Sequence, residues 1–117
     1  MAAEMKTGGG GARLVVGVVP RGEADRQVGA AIRAGAQAVT VFVGRGYGPE
    51  QEVGASGLVV RAEKEVILTV VGPEFAGPVV RAMADASNEV YGPSDHIATM
   101  PVAEVIGLLE ATREERG

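Results

Sequence analysis

Four short apolar runs constrain the fold of this chain more than any other feature. They are LVVGVV (14–19), AVTVFVG (38–44), EVILTVV (65–71) and HIATMP (96–101). Each run is rich in β-branched or aliphatic residues and is too short for a helix, and a glycine or a proline lies at or next to its end. We therefore predict four β-strands.

Three other segments carry the spacing of an amphipathic helix. The first follows the first strand, and Gly35 stands where a glycine commonly ends a helix. The second follows the third strand and ends near Ser87, and the third predicts a C-terminal helix. The apolar faces consist of Ala24, Val28, Ala31 and Ile32; of Val79, Val80, Met83 and Ala84; and of Val102, Val105, Ile106 and Leu109.

The order of these elements is typical of a double split βαβ unit. It predicts the α+β class, a ferredoxin-like βαββαβ fold with a four-stranded antiparallel sheet. Residues 45–63 hold four glycines and one proline, and they are predicted to form a long loop between strands two and three, with a short strand at 58–61 as an option.

Both faces of the predicted sheet are apolar. On strand three, Val66, Leu68 and Val70 alternate with residues 67, 69 and 71, which are Ile, Thr and Val. Two helices cover only one face of such a sheet, so another surface must bury the second face. We expect self-association, with three sheets packed around a threefold axis and the long loops pointing outward.

Composition limits the size and the function class. The chain has 117 residues, no cysteine and a net charge of −4, with 11 basic residues that are scattered along it. This predicts one small domain without disulfides, and no binding of nucleic acid. No segment resembles a signal peptide or a membrane span, which predicts a soluble, cytoplasmic protein without membrane insertion.

The first twelve residues are set apart by a run of glycines from 8 to 11. Such a run favours a disordered chain because glycine loses much backbone entropy on ordering. The predicted organisation is therefore a disordered tail at 1–12 and a single domain at 13–117.

Two motifs make the chain similar to the PII signal-transduction proteins. The segment IRAGAQAVTVFVGRGYG (32–48) resembles the family's helix-to-strand passage and its glycine-rich turn, and MPVAEVIGL (100–108) resembles the family's LPVEEVIRI ending. The resemblance extends from about Arg13 to Ile106. It implies a homotrimer, not an enzyme, that binds an adenine nucleotide between subunits. It also implies that the loop at 45–63 controls a partner protein such as a membrane transporter, as in nitrogen regulation.

The resemblance also assigns candidate effector-binding residues. Thr40 and Val70 take the places near the adenine, and Lys64 matches a lysine where the loop returns. Gly46 and Gly48 match the glycines at the base of the loop, and Arg45 beside them is a candidate phosphate ligand. The complete candidate set is Thr40, Arg45, Gly46, Gly48, Lys64 and Val70.

The chain departs from the family where phosphates would be held. The segment SNEVYGPSDH (87–96) places Glu89 and Asp95 where the family has a basic loop, and His96 stands at about the place of a phosphate-binding lysine. Gly107 and Leu109 take the places of two arginines. Polyphosphates need Arg or Lys donors, so AMP, ADP or cyclic AMP is expected to bind better than ATP, and no metal or other cofactor is expected.

Other interpretations of the same residues remain open. The GRGYG turn (44–48) is also typical of a plain hinge, and Lys64 of an ordinary strand start. Thr40 could instead satisfy its hydroxyl within a subunit interface. Two further functions share the fold: a metal-responsive trimer similar to CutA, and an acylphosphatase-like enzyme in which Arg21 would hold a phosphate.

Overall fold

The computed structural model describes residues 4–6, 11–46, 62–87, 95–106 and 108–110. Within these ranges it contains six strands and two helices. In chain order they are β1 (Glu4–Lys6), β2 (Arg13–Pro20), α1 (Ala24–Arg33), β3 (Thr40–Gly46), β4 (Ala62–Val71), α2 (Pro73–Asp85), β5 (His96–Pro101) and β6 (Leu108–Glu110).

The main sheet has the strand order β3-β4-β2-β5, and every neighbouring pair is antiparallel. Both helices pack on one face of it, because Ala31 of α1 and Met83 of α2 share a buried cluster with Val15 and Ile67 of the central strands. The predicted α+β, ferredoxin-like fold with a four-stranded antiparallel sheet is confirmed. The four predicted strands are β2 to β5.

The first helix ends as its sequence predicts. Gly35 has a φ of 127°, a conformation that glycine adopts without the penalty of a side chain. Its N–H donates to the carbonyl of Ile32, and the N–H of Ala36 donates to the carbonyl of Ala31. This pair of bonds is the Schellman motif. A Cβ at Gly35 would also clash with the ring of Phe75 on α2.

The face of the sheet away from the helices is apolar and has no helix over it. The pairings Leu14–Val70 and Val16–Leu68 put these four side chains on that face, since partners in register share a face. Phe42 of β3 and Met100 of β5 extend the same surface, and they are 49% and 45% exposed. We call the surface of Leu14, Val16, Val18, Phe42, Val66, Leu68, Val70, Ala98 and Met100 the open face.

The predicted C-terminal helix is wrong. Residues 102–106 form neither helix nor strand, and Leu108–Glu110 is the strand β6, which pairs with β1. The segment instead contacts the sheet at two points: the Val102 N–H donates to the carbonyl of Ala12, and Val105 lies near Leu14 and Val70. A helix this short gains little stability on its own, so packing contacts decide the backbone.

The sequence predicts a disordered tail at 1–12, of which the structure describes residues 4–6, 11 and 12. Glu4–Lys6 form β1, and Ala12 is buried beside the sheet. A run of glycines affects only its own backbone. It gives no information on whether a neighbouring segment pairs with a distant strand. The domain boundaries themselves stay predictions.

The strands on either side of the predicted long loop extend into it at both ends. β3 continues to Gly46 and β4 already begins at Ala62, and these two residues are partners in the ladder. The remainder of the loop, 47–61, and its optional strand lie outside the described residues. Neither helix in the described ranges is long and apolar enough to span a membrane.

Candidate ligand-binding site

A groove of about 410 Å³ lies at one end of the open face. Its floor includes Leu14, Leu68 and Val70 from the two central strands, and Thr40 lies at the start of β3. Val105, from the segment after β5, contributes another apolar wall, and Ile106 beside it is 77% exposed. The groove can therefore hold a flat apolar group, with the Thr40 side chain available for a hydrogen bond.

The opposite end of the open face carries a buried ion pair. Lys64 lies near the start of β4, and its Nζ is 2.7 Å from Oδ1 of Asp95, the residue just before β5. The two side chains are only 10% and 2% exposed. The pairing register places Lys64 between Gly44 and Pro20, neither of which carries a charge. Asp95 is thus the charge nearest to this ammonium in the described ranges.

The residues on either side of Lys64 point to the other face of β4, where the helices lie, and bind the turn before α1. Glu63 forms an ion pair with Arg21. One oxygen of Glu65 accepts the N–H groups of Gly22 and Ala24, at 2.9 Å each. Because the N-terminus of α1 has no side-chain cap of its own, Glu65 performs this role from a neighbouring strand.

The structure brings together two of the predicted site residues and separates the others. Thr40 and Val70 line the same groove. Lys64 lies four residues along β4 from Leu68, the partner of Thr40, which is about 13 Å in a strand. Arg45 and Gly46 lie at the end of β3, nearer to Lys64 than to the groove. Gly48 lies outside the described residues.

Sequence reasoning missed three contacts in and around the candidate site. It did not predict that Asp95 binds Lys64, that Glu65 caps α1, or that Val105 lines the groove. The available signal was a lysine that shares one face of β4 with Val66, Leu68 and Val70, and such a lysine needs an acidic partner if it is buried. Sequence alone does not say which carboxylate comes close.

Residues named for the alternative functions have partners within the chain. Arg21, which would hold a phosphate in an acylphosphatase-like enzyme, is paired with Glu63. Asp95, which precedes the histidine His96, is paired with Lys64. Across the described ranges, no three His, Cys, Asp or Glu side chains are grouped as metal ligands would be.

Comparisons with known proteins place the fold. No family model matches the chain, and no curated protein sequence matches it significantly. Solved structures do match. CutA, the periplasmic divalent cation tolerance protein of Archaeoglobus fulgidus, aligns with 78% of this chain and 83% of its own, at 14% identity and a TM-score of 0.61. PII of Arabidopsis thaliana, bound to citrate, aligns with 79% of this chain and 78% of its own, at 17% identity and a TM-score of 0.59.

The chain has the ferredoxin-like fold of CutA and PII. A Bacillus cereus protein related to NIF3 contains the same fold, with 87% of this chain aligned, 20% identity and a TM-score of 0.62. The chain spans only 27% of the length of that protein. At these identities the similarity concerns the fold, so the function is argued from the site.

Proposed function

We propose that this chain is a PII-like signal-transduction protein that forms a homotrimer through its open face. In the proposed trimer, an adenine nucleotide with few phosphates binds beside the groove near Thr40 and Val70. The segment between β3 and β4 then contacts a regulated partner protein. The protein is a sensor and not an enzyme.

The observation that carries this proposal is the exposure of the open face. A four-stranded sheet with apolar side chains on both faces is stable in water when each face is covered. The helices cover the central strands on one face, with Val15, Val19 and Ile67 fully buried, while Phe42 and Met100 on the other face stay about half exposed. Association through the open face would remove these side chains from water.

The groove supports the choice of an adenine nucleotide as effector. Its apolar floor fits a planar base, and Thr40 can exchange a hydrogen bond with a ring nitrogen or an exocyclic amine. The groove lies where the open face reaches the edge strand β3, so a neighbouring subunit packed on that face would complete its wall. Arg45 and Lys64 are candidates for the phosphate side.

Calorimetric titration with AMP, ADP, cyclic AMP and ATP tests the effector. We expect AMP, ADP or cyclic AMP to bind more tightly than ATP. Thr40→Val, which keeps the shape and removes the hydroxyl, should weaken the preferred compound by about 2- to 10-fold, the value of one hydrogen bond. Val43→Thr changes an exposed residue of the same strand on its other face and should leave affinity unchanged. Failure of all four compounds to bind would reject the nucleotide effector.

The similarity to CutA supports a second candidate, a trimer that responds to a divalent cation. Titration with copper and zinc ions distinguishes the two candidates. A cation that binds stoichiometrically in the absence of any adenine compound would favour this alternative. Nucleotide binding that does not depend on the metal would favour the PII-like sensor.

A further inference from the structure

We infer that the outer edge of β3 binds an extended apolar segment of the regulated partner, which adds to the sheet as a strand next to β3. The inference deepens the proposed function and rests on it for the existence of a partner. It names a second surface for that partner besides the segment between β3 and β4, and it requires neither a nucleotide nor the trimer.

Three exposed aliphatic side chains lie on the helix side of the sheet, away from the open face. Val41 is the register partner of Ile67, which is fully buried under the helices, and yet Val41 is 40% exposed. Val43, on the same face of β3, is 59% exposed, and Ile32 of α1 is 51% exposed. The helical layer therefore stops short of β3. We call Ile32, Val41 and Val43 the outer patch.

The outer patch extends from α1 to β3. Val28 and Val39 both pack against the buried core cluster. Ile32 lies one helical turn beyond Val28, and Val41 lies two residues beyond Val39, on the same side of each element. A trimer formed through the open face would leave the outer patch in water, because the two surfaces lie on opposite sides of the sheet. An apolar patch that stays exposed in this way is typical of a contact site.

The free edge of β3 determines the form of the bound segment. β3 is the last strand of the main sheet, so the backbone N–H and C=O groups along its outer side have no described strand beside them. Edge strands usually carry charges that keep other strands away, but residues Thr40 to Gly44 carry none. An extended chain can therefore hydrogen-bond along β3 and place alternate side chains on the outer patch.

Arg45 determines the charge expected in the bound segment. It is exposed on the same face as Val43, and its register partner Glu63 already forms an ion pair with Arg21. Within the described ranges, Arg45 itself forms no hydrogen bond or ion pair. A carboxylate of the bound segment can therefore pair with its guanidinium. The expected occupant has aliphatic residues at alternate positions and an acidic residue at the Arg45 end.

The position of β3 in the chain favours the regulated partner as the source of this segment. β3 leads directly into residues 47–61, and the outer patch and Arg45 lie on the strand that carries them. A partner that contacts the segment between β3 and β4 is therefore already next to the outer patch. Both contacts can belong to one interface on the same side of the molecule.

Calorimetric titration without nucleotide tests the inference with a defined probe. The probe is a short capped peptide that alternates valine and threonine and carries one glutamate near its end. A control peptide has serine in place of every valine. We expect the valine peptide to bind native protein with a Kd below about 1 mM, and the serine peptide to bind about tenfold more weakly or not at all.

Matched variants separate the outer patch from general effects of charge. Val43→Lys places a charge in the patch and should weaken binding about tenfold or more. Ala84→Lys adds the same charge at an exposed position of α2 and should leave affinity unchanged. Arg45→Gln should weaken the glutamate peptide about 2- to 5-fold and leave a glutamine version of the peptide unaffected. If Val43→Lys does not fold, Val41→Thr, which keeps the shape, should still weaken binding about threefold.

Three outcomes would overturn the inference. The first is native protein that does not bind the valine peptide. The second is an equal loss of affinity in Val43→Lys and Ala84→Lys. The third is a Val43→Lys particle of lower mass than the native particle in light scattering, which would make the outer patch a contact between copies of the chain. A monomeric native protein that binds the peptide would reject the trimer and leave this inference intact.

Discussion

The two faces of the central sheet have similar side chains and different surroundings. Ile67 and Leu68 are neighbours on β4; Ile67 is fully buried under the helices, and Leu68 on the open face is only half-buried. Hydrophobic composition alone therefore does not determine burial here. The crossover helices determine it on one side, and on the other side we propose that a second molecule provides the cover.

The largest expected loss of stability comes from a substitution on the covered face, the side of the sheet that packs against the helices. Ile67→Ala should lower the free energy of unfolding by about 2 to 5 kcal/mol, because the deleted atoms leave a cavity between sheet and helices. Chemical denaturation followed by circular dichroism measures the loss, which should be the same at every protein concentration. A loss below about 1 kcal/mol would mean that the covered face is not the core.

A smaller loss of stability is expected from a substitution at the C-terminal end of α1. Gly35→Ala places a side chain in a left-handed conformation, which costs about 1 to 3 kcal/mol, and it also pushes against the Phe75 ring. The melting temperature should fall accordingly. Gly29→Ala, at a helical glycine whose added Cβ would meet only the flexible end of Arg33, should be neutral or stabilising. Equal effects of the two changes would contradict this account of the helix end.

The smallest loss of stability is expected for the carboxylates of β4 that bind the turn before α1. Glu65→Gln removes a charged acceptor from the N-terminus of α1 and should cost about 0.5 to 2 kcal/mol. Glu63→Gln removes only an exposed ion pair and should cost about 0 to 1 kcal/mol. Thermal unfolding of the two variants side by side checks the order. A larger loss for Glu63→Gln would reverse the roles assigned to the two carboxylates.

Sequence pattern was sufficient for elements whose signals are local. The four strands of the main sheet, both helices and the glycine that ends α1 could be predicted because periodicity and backbone preference act within a few residues. The same reasoning failed for residues 102–110, since contacts with Ala12 and with β1 outweigh a helical spacing there. For the site, Thr40 and Val70 line one groove, and their role in binding a ligand stays a prediction. The partner of Lys64 was not predicted, because a tertiary ion pair leaves no periodic signal.

The central claim is that a second and a third copy of the chain cover the open face. Light scattering during size-exclusion chromatography tests it most directly on native protein and on Leu68→Lys, which places a charge in the middle of that face. The account predicts a native particle of about three times the chain mass of 11.9 kDa, and a folded Leu68→Lys variant of lower mass. A native protein that stays monomeric at micromolar concentration would contradict it.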